Sequence, residues 1–406
     1  MDIKVSNLRP YFSGLLPLFI IAHFGHHVTG AMLNPLMPMI RSELGLNYTQ
    51  AGVVISAFSI TSGIAQLPAG WLADRFGARL MVVLSVSGVA TAGLFVGLSH
   101  TYEALIVFLV LAALMGGGYH PSSAAAISSF VPAERRGRAL GLHLIGGSST
   151  FWVVPLIAAP IAAEWTWRAP YISLTIPVIV LGIALYYLMG RQARVTPAAV
   201  QPAAQVAASP MAGIKWAVLV PFLVMSVATG TLTQSVAAYY SLYLVDHFGM
   251  TAPSAALLMA IMPAVGAFAA PLGGYLSDRF GSVPVLTAAS LLAGPLLYVV
   301  GNVPGVPLFA AMLLVMGAVN MTRMPASESY IAGNVPVRRR ATVLGIYFFA
   351  GSEVSGLLTP FMGRLIDTRG FGTVFTIASS SLAVIAVLCA VLLWRFTRPS
   401  GTSTAV

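Results

Sequence analysis

The feature that most limits what this chain can fold into is a series of apolar runs, each roughly 20–30 residues long, punctuated by Pro, Gly and small clusters of charge. A helix needs roughly 20 apolar residues to cross a hydrocarbon core about 30 Å thick. The runs lie at 12–40 (α1), 47–74 (α2), 79–98 (α3), 101–130 (α4), 136–163 (α5) and 168–189 (α6). They resume at 213–246 (α7), 251–278 (α8), 283–302 (α9), 306–333 (α10), 338–366 (α11) and 371–396 (α12). Only 8% of the 406 residues are charged, where a soluble domain carries about a quarter, so a water-soluble fold is excluded. The formal charge of +10 does not point to nucleic acid, because the Arg residues are scattered between apolar runs rather than gathered on one face. Cys389, the single cysteine, can form no intrachain disulfide. Lys4 and Arg9 precede a run that passes through His23, His26 and Asn34 with no small-residue cleavage site, so the first run reads as a retained helix.

Lys and Arg counts set the expected orientation. With the N-terminus in the cytoplasm, sixteen of the 21 basic residues fall inside, four (Arg41, Arg168, Arg364 and Arg369) fall outside, and Arg323 lies within a helix. Both termini are therefore expected on the cytoplasmic side of the cell inner membrane. Sliding the sequence by 204 residues sets Asp74-Arg75-Phe76-Gly77 on Asp278-Arg279-Phe280-Gly281, Gly70 on Gly274, Pro121 on Pro325, Val131-Pro132 on Val335-Pro336 and Leu140-Gly141 on Leu344-Gly345. The repeat holds six spans, an even number, so its copies enter the bilayer in the same direction. The expected organisation is a six-helix bundle over 1–189, a cytoplasmic linker over 190–212 and a second six-helix bundle over 213–406.

The loop Gly70-Trp71-Leu72-Ala73-Asp74-Arg75-Phe76-Gly77-Ala78-Arg79 resembles the signature of the major facilitator superfamily, and its second copy lacks only the last basic residue. Gly118-Tyr119-His120-Pro121-Ser122-Ser123 and Glu134-Arg135-Arg136-Gly137-Arg138-Ala139 are similar to the fosmidomycin-resistance type of efflux protein within it. The family's glycine-rich antiporter signature appears in α5 only as Val154-Pro155 with Ala158-Ala159. The resemblance implies an all-α membrane fold of twelve helices in two pseudo-symmetric bundles, with α1, α4, α7 and α10 lining the substrate path and α2, α5, α8 and α11 contributing. Physically, a carboxylate at the C-terminal end of a helix opposes the helix dipole and asks for a cationic partner. Gly70, Asp74, Arg75, Gly77, Asp278 and Arg279 are accordingly gate candidates, with the start of α11 near Arg338–Arg340 as the partner of Asp74; an ordinary turn is the alternative.

An ionisable side chain at membrane depth costs several kcal/mol, so each one asks for a reason. Arg323 in α10 and Glu353 in α11 are candidates for anion binding and proton coupling, with Glu328 a turn and a half beyond Arg323; a structural Arg323–Glu353 ion pair is the alternative. In α1, His23, His26 and His27 share one helical neighbourhood, and α4 adds Tyr119 and His120. Imidazoles suit polar solute contacts, a proton relay or transition-metal ligation, and equally a buried hydrogen bond. Asn34, Ser149, Gln234, Tyr240 and Asn320 complete the candidate path, each also able to join helices. The expectation is a secondary active transporter, not an enzyme, that exports a small organic solute, anionic or zwitterionic, by proton-coupled alternating access. Its partners are the solute, protons and the lipid bilayer; no nucleic acid, no cofactor and no resident metal are expected, and the chain should work as a monomer. The alternatives are uptake of an organic anion, or carriage of a transition metal or metal chelate by His23, His26 and His27.

Overall fold

The computed structural model describes residues 14–132, 135–195, 215–335 and 337–397. Lys4, Arg9, Arg398 and most of the expected linker lie outside the described residues; its first residues, Gly190–Val195, are the end of α6. All regular structure described is helical, as membrane depth requires of a chain whose backbone must satisfy itself.

Among the described residues, ten helices are long and apolar enough to cross a membrane. The last of them, Val343–Phe396, is interrupted at Gly370, whose φ of 77° is non-helical, and this break separates α11 from α12. The remaining expected span, α2, is less apolar and falls in two pieces, Tyr48–Gln66 and Ala69–Phe76, joined through Leu67 and Pro68. The α4 run is likewise jointed, with Tyr102–Gly116 followed by Tyr119–Phe130. α3 carries a π-helical turn at Leu84–Gly88 between Ala78–Val83 and Val89–Gly97. α1 (Leu16–Leu44), α5 (Arg136–Glu164), α6 (Arg168–Val195), α9 (Ser282–Val300) and α10 (Val306–Asn334) run without a break.

The 204-residue repeat is written in the backbone as well as in side chains. Gly77 and Gly281 share one glycine-only conformation (φ 82°, ψ 146° and φ 87°, ψ 149°), and each turns the chain from one helix directly into the next. Gly45 and Gly249 both take left-handed φ, at 62° and 66°. Val131 and Val335 end α4 and α10 in the same extended conformation, each donating its N–H to the carbonyl four residues before. Helix starts coincide too: Asn47 and Thr251 cap α2 and α8 through their side chains.

Lipid-facing and interior stripes are both apolar, so helices here lack the amphipathic contrast of soluble ones. In α12, Val384, Val387, Leu388 and Val391 are exposed, while Ala378, Leu382, Ala386, Cys389 and Leu393 are buried at intervals of three to four residues. Two compact units form. One comprises residues up to 203 together with 238–264 and 359–367; the other comprises 204–237, 265–358 and 368 onward. The packing units thus differ from the halves of the sequence, since the end of α7, the start of α8 and the end of α11 pack into the first unit.

Candidate functional site

In the second unit the centre of interest is Arg323. Its Nη1 donates to the Ser226 carbonyl (3.0 Å), the Ser226 hydroxyl (2.9 Å) and the Tyr347 hydroxyl (3.0 Å). The guanidinium fits because residue 230 is glycine; a Cβ there would lie 2.8 Å from Arg323 Nη2. The Arg323 Nε is buried without an acceptor. The expected partner is not supplied: Arg323 and Glu353 stand outside ion-pairing distance, and the Glu353 Oε1 is itself buried without a hydrogen-bond partner. The cation is held instead by neutral oxygens, of Ser226 on α7 and of Tyr347 on α11. A cation held only by neutral oxygens keeps its charge uncompensated, and such a charge attracts an anion. Glu328 is partly buried a turn and a half beyond, and Ser327 bridges from the Arg323 carbonyl (3.1 Å) to Ser226 (2.6 Å).

In the first unit five of the chain's seven histidines gather. His23, His27 and His120 bring nitrogen atoms within 4.8 Å of one another. His26, expected to join His23 and His27, instead turns its Nδ1–H to the Ser85 carbonyl (2.9 Å) within the π-helical turn of α3, and its ring stacks on Tyr119 at 4.4 Å. His120 on α4 takes the place that α1 spacing assigned to His26. The fifth histidine, His143 on α5, stacks on His23 at 4.2 Å. It donates from Nδ1 to the Phe19 carbonyl (3.1 Å), and its Nε2 faces the Ser123 hydroxyl (3.3 Å). Sequence reasoning passed over His143 because a single histidine in an apolar run carries no spacing signal.

The repeat could have found it. Adding 204 carries Tyr119 onto Arg323, Ser123 onto Ser327, His143 onto Tyr347 and His26 onto Gly230. The residues that surround Arg323 are therefore the counterparts of those that surround Tyr119. One architectural niche holds imidazoles in the first unit and a guanidinium in the second.

The other candidates distribute unevenly. Tyr119 is fully buried and donates to the Phe19 carbonyl (3.3 Å), so it supports the histidines rather than facing an open path. Ser149 returns its hydroxyl to Gly146 of its own helix (2.9 Å). Asn320 is buried and accepts from Thr233 (3.3 Å). Tyr240 is buried, Gln234 is exposed, and the Asn34 carbonyl accepts from Ser241 (2.7 Å). Among the gate candidates, Arg75 lies over the Trp71 ring at 5.5 Å, and Arg279 donates to Tyr275 (3.1 Å) beside an exposed Asp278. The side chains of Asp74 and Arg338–Arg340 and the surroundings of Gly70 lie outside what is described. Arg79, last of the signature residues, donates to the Tyr186 carbonyl (2.6 Å) and covers the Tyr186 ring at 3.8 Å, tying the α2–α3 loop to the end of α6.

A second polar cluster of the first unit gathers residues from far apart in sequence. Arg41 pairs with Asp246 (2.9 Å), which also accepts from the Tyr48 hydroxyl (2.6 Å). Asp367 accepts from the Tyr48 and Thr49 amides (2.9 and 2.8 Å) and from the Thr49 hydroxyl (2.6 Å), a carboxylate placed at the N-terminus of α2 where the helix dipole favours it. Tyr239 donates among the Thr359 and Tyr48 carbonyls (2.7 and 3.2 Å). Nothing in the spacing of these residues announced their meeting.

Comparison with known proteins bears on the family and the fold. The sequence pattern described as Major Facilitator Superfamily matches residues 19–250 and 222–405, two overlapping stretches that together span nearly the whole chain. The chain belongs to the major facilitator superfamily. As such it is a multi-pass membrane transporter of small molecules and not an enzyme. The multidrug resistance protein MdtG of Enterobacter lignolyticus is 29% identical over 394 residues, 92% of each chain, and that of Proteus mirabilis 28% identical over 386 residues, 91% of this chain and 94% of its own. In fold the chain is similar to a bacterial homologue of the human lysosomal transporter Spinster (TM-score 0.77, 17% identity, 95% and 97% of the two chains). It is also similar to a POT family transporter crystallised with a thioalcohol-conjugated peptide (TM-score 0.80, 13% identity, 94% and 96%).

Proposed function

We propose that this superfamily member exports a small organic anion or zwitterion across the inner membrane, driven by protons, with Arg323 as the anion-binding residue and Glu353 as the proton carrier. The observation that carries the reading is the Arg323 guanidinium held by Ser226 and Tyr347 with no carboxylate in pairing distance among the described residues. Burying an unpaired cation costs several kcal/mol, and an anionic group of the solute would recover much of that cost. Glu353, with a buried oxygen lacking a donor, is suited to alternate between a protonated and an ionised form. Export is supported by the relatives' description as multidrug resistance proteins. The two bundles would alternate access with both termini in the cytoplasm, the chain acting as a monomer.

The test uses the purified protein in liposomes with an imposed pH gradient and a panel of radiolabelled organic anions and cations. Gradient-driven flux of an anion is expected, lost in Arg323→Gln and not restored by Arg323→Lys, since lysine cannot reproduce the forked contacts. Glu353→Gln should abolish gradient-driven flux while leaving exchange of solute for solute. Full gradient-driven transport by Glu353→Gln would remove Glu353 from the coupling, and cation selectivity would remove the role given to Arg323.

A further inference from the structure

The imidazoles of the first unit form an arrangement that solute binding at Arg323 does not use. We propose that His23, His27 and His120 constitute a binding site for a divalent first-row transition ion such as Zn2+, Co2+ or Ni2+, with a fourth coordination position open to an exogenous donor.

Three observations support it independently of one another. The first is distance: one nitrogen from each ring lies within 4.8 Å of the others. Tetrahedral coordination at about 2.0–2.1 Å places ligand nitrogens roughly 3.4 Å apart, a contraction within reach of small ring rotations. The second is protonation. A carbonyl can only accept, so the 2.9 Å contact between His23 Nδ1 and the His143 carbonyl places the proton on Nδ1 and leaves Nε2 as a bare lone pair. That Nε2 is buried, on a side chain only 2% exposed, and has no hydrogen-bond partner. An imidazole whose far nitrogen donates to a backbone carbonyl while its near nitrogen stands unoccupied is the usual state of a metal-ligating histidine. The third is space. Residue 147 on α5 is glycine, and a Cβ there would stand 2.3 Å from His23 Nε2, so the absence of a side chain is what keeps that lone pair uncovered.

The neighbours read as supports of this trio. His143 stacks on the His23 ring, while His26 is committed to Ser85 and Tyr119. His27 packs against Phe151, with ring centroids 5.3 Å apart. His120 is exposed, whereas His23 is enclosed. Three imidazoles with one vacant position is the ligand count of an open rather than a closed zinc site. Neutral ligands leave the ion its full double charge, so an anionic group in the open position is favoured over water. Imidazole donors select Zn2+ and its neighbours over Mg2+ or Ca2+, which require oxygen.

The experiment titrates Co2+ into the full-length protein in detergent after removal of any purification tag, following visible absorption, and then displaces it with Zn2+. One Co2+ per chain with the intense bands of four-coordinate cobalt is expected. His27→Ala and His120→Gln should each weaken binding by roughly tenfold or more, and Gly147→Ala should do the same by covering Nε2. His100→Ala and His247→Ala, the two histidines outside the cluster, should leave it unchanged. Each variant's melting temperature without metal distinguishes loss of ligand from loss of fold: a folded variant that no longer binds supports the site. Absence of stoichiometric Co2+ binding, or binding that survives His27→Ala combined with His120→Gln, overturns it. Because the readout is the ion's own spectrum, it stands or falls separately from anion transport at Arg323.

Discussion

Gly52 offers the sharpest quantitative test of the contacts that hold the end of α7 and the end of α11 against α2. A Cβ at position 52 would lie 2.1 Å from the Tyr239 hydroxyl oxygen and 2.9 Å from the Pro360 Cα. The proline backbone cannot swing aside, so in Gly52→Ala the tyrosine must move, and with it the bonds to the Thr359 and Tyr48 carbonyls break. Overpacking costs about 1–3 kcal/mol and losing the bond made by the single Tyr239 hydroxyl hydrogen about 1 kcal/mol, giving roughly 2–4 kcal/mol against the packed arrangement. At about 1.4 kcal/mol per tenfold, the ratio of packed to separated molecules should fall by roughly 30- to 1000-fold. Ser241, 1% exposed and bonded to the Asn34 carbonyl, reports on this interface. In a Cys389→Ser background, Ser241→Cys should resist a membrane-impermeant maleimide and should label readily once Gly52→Ala is added. Adding Tyr239→Phe removes the clashing oxygen, so the triple variant should regain much of the protection, a coupling that independent effects would not show. Equal labelling with and without Gly52→Ala, or no recovery on adding Tyr239→Phe, would refute the reasoning.

Two further outcomes are expected. Gly77→Ala and Gly281→Ala force a side chain into the same positive-φ conformation and should each cost about 1–3 kcal/mol, read as similar falls in melting temperature; a neutral result at either would show that the two turns are not equivalent. Arg168→Lys should destabilise the first unit measurably, because Arg168 donates twice to the Ser99 carbonyl (2.7 and 3.1 Å), pairs with Glu43 and covers the Trp167 ring at 4.4 Å, a forked and stacked set that a lysine cannot make; an unchanged melting temperature would place that cluster among inert surface pairs.

Features that depend on a residue's neighbours along the chain, or on the internal repeat, were legible from the order of residues. Apolar run length dictated helices and their approximate ends, since the bilayer permits little else, and the 204-residue offset dictated paired turns that the backbone repeats angle for angle at Gly77 and Gly281. It also singled out Arg323, Glu353 and the α1 histidines, because charge and imidazole are costly at depth wherever they occur. Partners were another matter. Arg323 meets Ser226 and Tyr347 in place of Glu353, His23 meets His120 and His143 in place of His26, and Asp367 caps a helix more than 300 residues before it. Such pairings depend on the rotation and depth of one helix against another. Those are set by the close fit of glycines such as Gly52, Gly147 and Gly230 against side chains from other helices, and they leave no period in the sequence.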